Sequence, residues 1–326
     1  MKVLITGGAG FLGQRLAREL LARDVIKDAL GEPQPITELV LLDVVPATGF
    51  EDNRVRIEVG DIAERSVLER LICDETSVIF HLAAIVSGQA EADFDLGMRI
   101  NLDASRVLLE TCRLRGHRPR VVFTSSVAVY GGEMPDVVQN DTALNPQSSY
   151  GTQKAIAELL LNDYTRRGFV DGRVLRLPTI SVRPGKPNAA ASSFASGIIR
   201  EPLNGEAAIC PVPGDTRVWL LSPRKAIACL IAGLELDAAA LGMQRAVNLP
   251  GISVSVDEMV EALREVAGDE VAGRIEMKVD PRTEKIVSSW PGCWDTTRAE
   301  QLGLVGERSF ADVIRSYIED EHIKIR

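Results

Sequence analysis

The stretch Lys2-Val3-Leu4-Ile5-Thr6-Gly7-Gly8-Ala9-Gly10-Phe11-Leu12-Gly13 opens the chain and decides its fold. A short apolar run ends abruptly in glycines, and residues 11–23 then follow a helical apolar period. The order is strand, tight turn, helix. A turn of this kind lets backbone approach a pyrophosphate closely, and the helix N-terminus that follows offers unpaired amides to the negative charge. Gly7, Gly10, Phe11, Leu12 and Gly13 are therefore candidate contacts to a dinucleotide.

Outward from this turn the same alternation continues. Residues 39–43, 55–59, 78–82, 120–124, 173–177 and 245–248 read as strands. Residues 62–73, 94–115, 150–167, 223–236 and 256–267 read as helices. Continuous apolar strands separated by helices imply a sheet buried on both faces. The expected class is α/β: a Rossmann-type doubly wound parallel sheet with a smaller mixed α/β C-terminal substrate lobe. The dinucleotide domain is expected over 1–180, with a returning segment at about 222–250. The lobe takes 181–221 and 251–326. Residues 24–38, which contain Gly31, Pro33 and Pro35, read as a surface insertion. Residues 189–200 read as a helix after a Pro/Gly loop.

A length of 326 residues suits about two domains. With 45% apolar and 25% charged residues the chain has the composition of a folded globular protein. Its net charge of −9 argues against nucleic acid or an anionic membrane as a partner. No apolar run approaches the ~20 residues of a membrane span, and the apolar N-terminus is too short for a secretory signal. Five scattered cysteines without a C-x-x-C point to reduced thiols in the cytoplasm, and three histidines without ligand spacing point away from a metal site.

Asp43 closes the second strand, where a carboxylate accepts hydrogen bonds from the adenosine ribose. It lies 30 residues past Gly13, against the usual ~20, and the 24–38 insertion accounts for the excess. No basic residue follows Asp43 directly to receive a 2′-phosphate, so NAD is expected over NADP. Asp61 and Ile62 are placed to flank the adenine. Leu82, Ala83 and Ala84 offer small residues where backbone runs beside a cofactor. His81, just before them, reads as a packed strand residue.

Tyr150 and Lys154 lie four apart on one helix and so share a face. Thr124, Ser125 and Ser126 end a strand at the edge where doubly wound sheets bind ligands. A tyrosine acting as a base near neutrality needs about three pKa units of help, roughly 4 kcal/mol, from nearby positive charge. A lysine ammonium and an oxidised nicotinamide are the two candidates.

Taken together, the glycine turn, Asp43, Asp61-Ile62, His81-Leu82-Ala83-Ala84, Ser125-Ser126 with Tyr130-Gly131, and Tyr150 with Lys154 resemble the extended short-chain dehydrogenase/reductase family. The likeness is dense over the first 185 residues and loose beyond. It implies that Tyr150 accepts the proton, that Lys154 holds the nicotinamide ribose and depresses the tyrosine, and that Ser126 hydrogen-bonds the substrate oxygen. It further implies that Asn101 supports the lysine and that Pro178 borders the cofactor.

Many extended members act on nucleotide-diphosphate sugars, and this sequence departs from their pattern. The asparagine and Tyr-Gly-Pro that commonly follow the sixth strand are replaced by Pro178-Thr179-Ile180-Ser181-Val182-Arg183-Pro184. An acidic pair expected after Arg217 is replaced by Ser222-Pro223. Short hydroxyl and amide side chains suit a small polyol acid, with an arginine for its carboxylate. The candidate substrate contacts are Ser125, Ser126, Thr179, Arg183, Asn188, Ser192 and Arg217. The region resembles dehydrogenases of four-carbon sugar-acid catabolism, which implies NAD-dependent oxidation of the hydroxyl beside the carboxylate. A cytoplasmic homodimer is the expected form. The alternatives are a nucleotide-diphosphate-sugar epimerase or dehydratase and a non-catalytic dinucleotide-sensing protein.

Overall fold

The structure, a computed structural model, describes residues 1–185 and 191–325. Its main sheet has seven strands: β1 (Lys2–Thr6), β2 (Glu38–Asp43), β3 (Val55–Val59), β4 (Thr76–His81), β5 (Arg120–Ser126), β6 (Asp171–Leu177) and β7 (Ala246–Asn248). The spatial order is β7-β6-β5-β4-β1-β2-β3. The five strands from β3 to β5 pair in parallel, with Val3 opposite Leu39 and Val78, and Phe80 opposite Val122. Val3, Leu4, Ile5, Leu39, Val40, Val78, Ile79 and Phe80 are completely buried, as strands covered by helices on both faces must be.

Strand order reverses between β1 and β4. One connection leaves β1 toward β2 and the other runs from β4 toward β5, so a crevice opens at their carboxyl ends. The glycine turn follows β1 and residues 82–85 follow β4 at this crevice.

Three elements differ in shape from the sequence reading. Residues 24–38 form an antiparallel ribbon, Val25–Lys27 against Pro33–Pro35. Ile26 is completely buried beneath it, and the Asp28 carboxylate accepts from the amides of Leu30 and Glu32 to shape the turn. The segment is thus an anchored hairpin. The expected helix at 94–115 is interrupted: Phe94–Gly97 and Ala104–Arg115 are α-helical, and Met98–Asp103 between them takes one wider π turn. The helix expected at 62–73 is shorter, Arg65–Leu71. Asp61 accepts from the Ala63 amide and holds the preceding residues in a turn.

The chain divides into two compact units, Met1–Val129 with Pro146–Arg176 and Ile227–Val247, and Tyr130–Asn145 with Leu177–Ala226 and Asn248–Arg326. The sequence reading placed 130–145 in the dinucleotide domain. These residues instead join the second unit, where the Val138 amide donates to Cys293 and the Tyr130 hydroxyl donates to Asn248. Such contacts span more than 100 residues and leave no local pattern.

In the second unit, Arg217–Leu221 pairs antiparallel with Ile252–Ser255 and parallel with Thr179–Ile180. Helices Phe194–Leu203, Val256–Ala267 and Phe310–Asp320 supply the core residues Ile198, Ile199, Met259, Leu263, Val313 and Ile314. The residues expected as a helix at 189–200 begin, within the described part, as a 3₁₀ turn at Ala191–Ser193 that leads into the 194–203 helix.

Candidate active site

The glycine turn is built by close approach. A Cβ on Gly13 would sit 2.1 Å from the Gly7 carbonyl oxygen, and one on Gly7 would sit 2.9 Å from the Ala83 amide nitrogen. Gly7 also has a φ of +73°, a region that side chains disfavour. Helix Phe11–Arg23 begins at Gly10 with no side-chain cap and no acidic residue in its first turn. Its N-terminal amides and positive dipole end are therefore left to a ligand. A pyrophosphate fits this cradle.

Asp43 braces the turn from the next strand. One carboxylate oxygen accepts from the Ala9 amide at 3.0 Å and the other from the Val44 amide at 2.7 Å. The remaining lone pairs of both oxygens stay available to ribose hydroxyls. Asp61 pairs with Arg99 at 2.5 Å. Ile62 is buried against the core below it.

Beyond β4, the Ala83 amide donates to the Thr6 hydroxyl, and Ile85 both donates to and accepts from the Asn101 amide group at 2.8 and 3.0 Å. The same Asn101 nitrogen donates to Gln153 at 2.7 Å. Asn101 is thus a buried clamp on residue 85 and on the Tyr150 helix. It makes no direct hydrogen bond to Lys154, whose ammonium instead donates to the Thr124 carbonyl at 2.9 Å.

Helix Ser149–Arg166 carries Tyr150 and Lys154. The Ser148 hydroxyl caps its start by accepting from the Gly151 amide, and Gly151 lets the helix press on the Ala128 carbonyl, which a Cβ would meet at 2.1 Å. Lys154 is 1% exposed, with its ammonium 4.6 Å from the centre of the Phe123 ring and 5.7 Å from that of Tyr150. One turn further on, Glu158 forms a buried ion pair with Arg176 at 2.7 Å. Sequence reasoning missed this pair. Its signal was a glutamate four residues past Lys154, on the same face.

Burial pushes the Tyr150 phenol up to about 12, against a hydrogen bond from Ser126 that pulls it down. Burial likewise pushes the Lys154 ammonium down to about 7, partly offset by the Glu158 charge. The Lys154 charge is not among the causes that act on Tyr150 in the protein by itself. Desolvation dominates both groups, and further positive charge is needed to release the phenolic proton. The Ser125 hydroxyl is buried and makes no hydrogen bond among the described residues, so this strand end retains an unused polar group.

His81 is buried, and burial, with the nearby Lys154 charge, drives its pKa down to about 3. It is a neutral structural residue, in line with the sequence reading.

The remaining candidates lie at or beyond residue 177, in the second unit. Pro178 is buried and Thr179 half-buried at the start of its sheet. Ser192 is half-buried in the 3₁₀ turn, and Asn188 lies outside the described residues. The two arginines differ. Arg217 is exposed and bonds the Ser253 carbonyl and Glu258 at 3.2 and 3.3 Å. Arg183 is half-buried, its guanidinium makes no ion pair among the described residues, and burial together with neighbouring Arg200 lowers its pKa. Arg200 is itself paired with Glu201. Among the described residues no cluster of acidic, histidine and cysteine side chains is placed to hold a metal, and no helix is long and apolar enough to cross a membrane.

Comparison with known proteins agrees with this construction. The chain is 64% identical over 320 residues to a D-erythronate dehydrogenase from Cupriavidus necator, covering 98% of each chain. It is 48% identical to a D-erythronate dehydrogenase from Haemophilus influenzae, covering 98% of this chain and 99% of the other. A solved structure described as a nucleoside-diphosphate-sugar epimerase from Agrobacterium tumefaciens superposes with a TM-score of 0.95 at 42% identity, covering 100% of this chain and 96% of the other. The model of the NAD dependent epimerase/dehydratase family matches residues 3–220, across the glycine turn, Asp43, the serine strand end and the Tyr150 helix, and the chain belongs to that family.

Proposed function

We propose that this protein is a dehydrogenase that oxidises the C2 hydroxyl of a small sugar acid, D-erythronate, to the 2-oxo acid, with NAD as acceptor. The observation that carries the reading is the full-length likeness, at 64% and 48% identity, to two D-erythronate dehydrogenases. Asp43, with no basic residue after it, favours NAD over NADP.

In this reading Tyr150 takes the proton from the substrate hydroxyl, and Ser126 hydrogen-bonds the same oxygen and the developing phenolate. When bound, NAD supplies the hydride acceptor and the positive nicotinamide ring that, with Lys154, draws the tyrosine down from about 12. Lys154 holds the ribose with the donors left after its bond to Thr124. Arg183 receives the carboxylate, because a desolvated guanidinium with no acidic partner among the described residues gains most from an incoming anion.

The test is incubation with NAD and a panel of four- to six-carbon sugar acids, read as NADH absorbance. D-Erythronate should give the highest kcat/KM, and absence of net NADH with every acid would sink the reading. The likeness to the Agrobacterium epimerase favours a second reading, turnover of a nucleotide-diphosphate sugar. That chemistry returns its hydride and accumulates no NADH.

The reading also carries a cytoplasmic homodimer. None of the five cysteines forms a disulfide, and Ile156 and Leu159 leave an apolar strip exposed on the outer side of the Tyr150 helix. Sedimentation at two protein concentrations tests the dimer, and a single monomeric species at both would exclude it.

A further inference from the structure

Three buried side chains, Thr6 and His81 at the carboxyl ends of β1 and β4 and Ser105 on helix Ala104–Arg115, form one continuous hydrogen-bonded chain that ends on the Asn101 backbone carbonyl. The Thr6 hydroxyl lies 2.8 Å from His81 Nδ1, and His81 Nε2 lies 2.8 Å from the Ser105 hydroxyl. Ser105 in turn donates to the Asn101 carbonyl at 2.8 Å. At the other end the Ala83 amide donates to Thr6 at 3.2 Å.

The Asn101 end fixes the direction of every bond along the chain. A carbonyl only accepts, so the single Ser105 hydrogen goes to Asn101, and Ser105 must accept from His81 Nε2–H. In a neutral imidazole Nδ1 then carries a lone pair and accepts the Thr6 hydrogen. Thr6 Oγ1 is left to accept from Ala83. No donor or acceptor along the path is unmatched, and reversing His81 would turn a bare Nε2 lone pair toward a Ser105 oxygen whose hydrogen is already given to Asn101.

The chain runs between the two residues that hold residues 83–85, ending at the Thr6 hydroxyl on one side and at the Asn101 backbone carbonyl on the other. Thr6 holds the Ala83 amide, and Asn101 holds both backbone groups of Ile85. This segment is the wall that Gly7 approaches so closely that a Cβ would fall 2.9 Å from the Ala83 nitrogen.

We propose that His81, locked as the Nε2–H tautomer, is a positioning residue that sets the separation between the glycine turn and residues 83–85, and with it the affinity for the dinucleotide. The inference rests on the NAD reading for its consequence, but the tautomer does not depend on it. The imidazole stays neutral because it is buried and the Lys154 ammonium disfavours a second positive charge.

Three histidines make the direct test simple. In ¹⁵N-histidine-labelled protein without cofactor, the His81 ring should show a protonated Nε2 and a bare Nδ1, unchanged from pH 8 to pH 5. An Nδ1–H tautomer, or titration within that range, would overturn the lock. Ser105→Ala removes the acceptor for Nε2–H and should raise the calorimetric dissociation constant for NAD at least fivefold, while kcat at saturating NAD stays within threefold. If NAD binds that variant as it binds the unmodified protein, the positioning role is wrong. If NAD does not bind the unmodified protein, the failure belongs to the functional reading and the tautomer result stands by itself.

Discussion

The polar side chains at the strand ends of the first unit and the arginines of the second are organised in opposite ways. In the first unit Asp43, Thr6, His81, Asn101 and Lys154 all hydrogen-bond other parts of the protein. They form a scaffold fixed before any ligand arrives, so that little reorganisation is needed when one does. In the second unit Arg183 is half-buried without an ion-pair partner among the described residues, whereas Arg217 lies in water beside Glu258. The shared cofactor region is specified by internal contacts. In the proposed reading the substrate region is instead specified by a guanidinium that has no ion-pair partner among the described residues.

The largest expected effect tests the first half of that contrast. Tyr150→Phe deletes only the phenolic oxygen, and none of the bonds in the scaffold involves it. NAD binding by calorimetry should be unchanged, while turnover of the sugar acid falls by about 10²-fold or more. Activity within a few-fold of the unmodified protein would mean that another group takes the proton.

The second effect separates the arginines. Arg183→Ala should lower kcat/KM for the acid by about 30- to 150-fold, the equivalent of roughly 2–3 kcal/mol, and leave NAD affinity alone. Arg217→Ala should change either value by no more than about twofold, since exposed ion pairs contribute little. The reverse outcome would assign the carboxylate to Arg217 and break the contrast.

How much of this the sequence disclosed follows the same division. Gly7, Gly13, Tyr150 and Lys154 were legible because their requirements are local: a close approach, a turn, two side chains on one helix face. The His81 chain was not, since Thr6, His81 and Ser105 lie 75 and 24 residues apart and meet only through the strand order. Residues 130–145 escaped for the same reason, being held to the second unit by Cys293 and Asn248. The choice between Arg183 and Arg217 was equally closed, because it depends on whether an acid sits beside each, and Glu258 reaches Arg217 from 41 residues away. The π turn at Met98–Asp103 has an ordinary helical sequence and showed no break in period.

A smaller effect concerns pH. The Ser126 hydrogen bond favours the Tyr150 phenolate and pulls its pKa below where burial alone would put it. Removing a bond to the charged form raises the pKa, so less phenolate is present at any given pH. The rising alkaline limb of the kcat profile for acid oxidation should therefore move to higher pH in Ser126→Ala, by up to about one unit. A limb that stays in place, or moves to lower pH, would show that Ser126 does not act on the phenol.

The smallest effect is expected from Glu258→Gln, and it probes Arg217 without touching it. Glu258 accepts from the Ser255 amide and donates its own amide to the Ser255 hydroxyl, the reciprocal cap of helix Val256–Ala267. Glutamine keeps that cap and removes only the charge facing Arg217. Because the pair is exposed on both sides, unfolding free energy should change by less than about 1 kcal/mol. The kinetic outcome is the sharper one. If Arg217 is a surface residue held by its acidic neighbour, kcat/KM for the sugar acid should stay within about twofold. If Arg217 is the carboxylate receptor, removing the competing carboxylate should lower KM for the acid, and a combined Glu258→Gln, Arg183→Ala protein should retain acid specificity. Under the assignment to Arg183 the combined protein should match Arg183→Ala, since an arginine that plays no part in binding gains nothing from losing its partner.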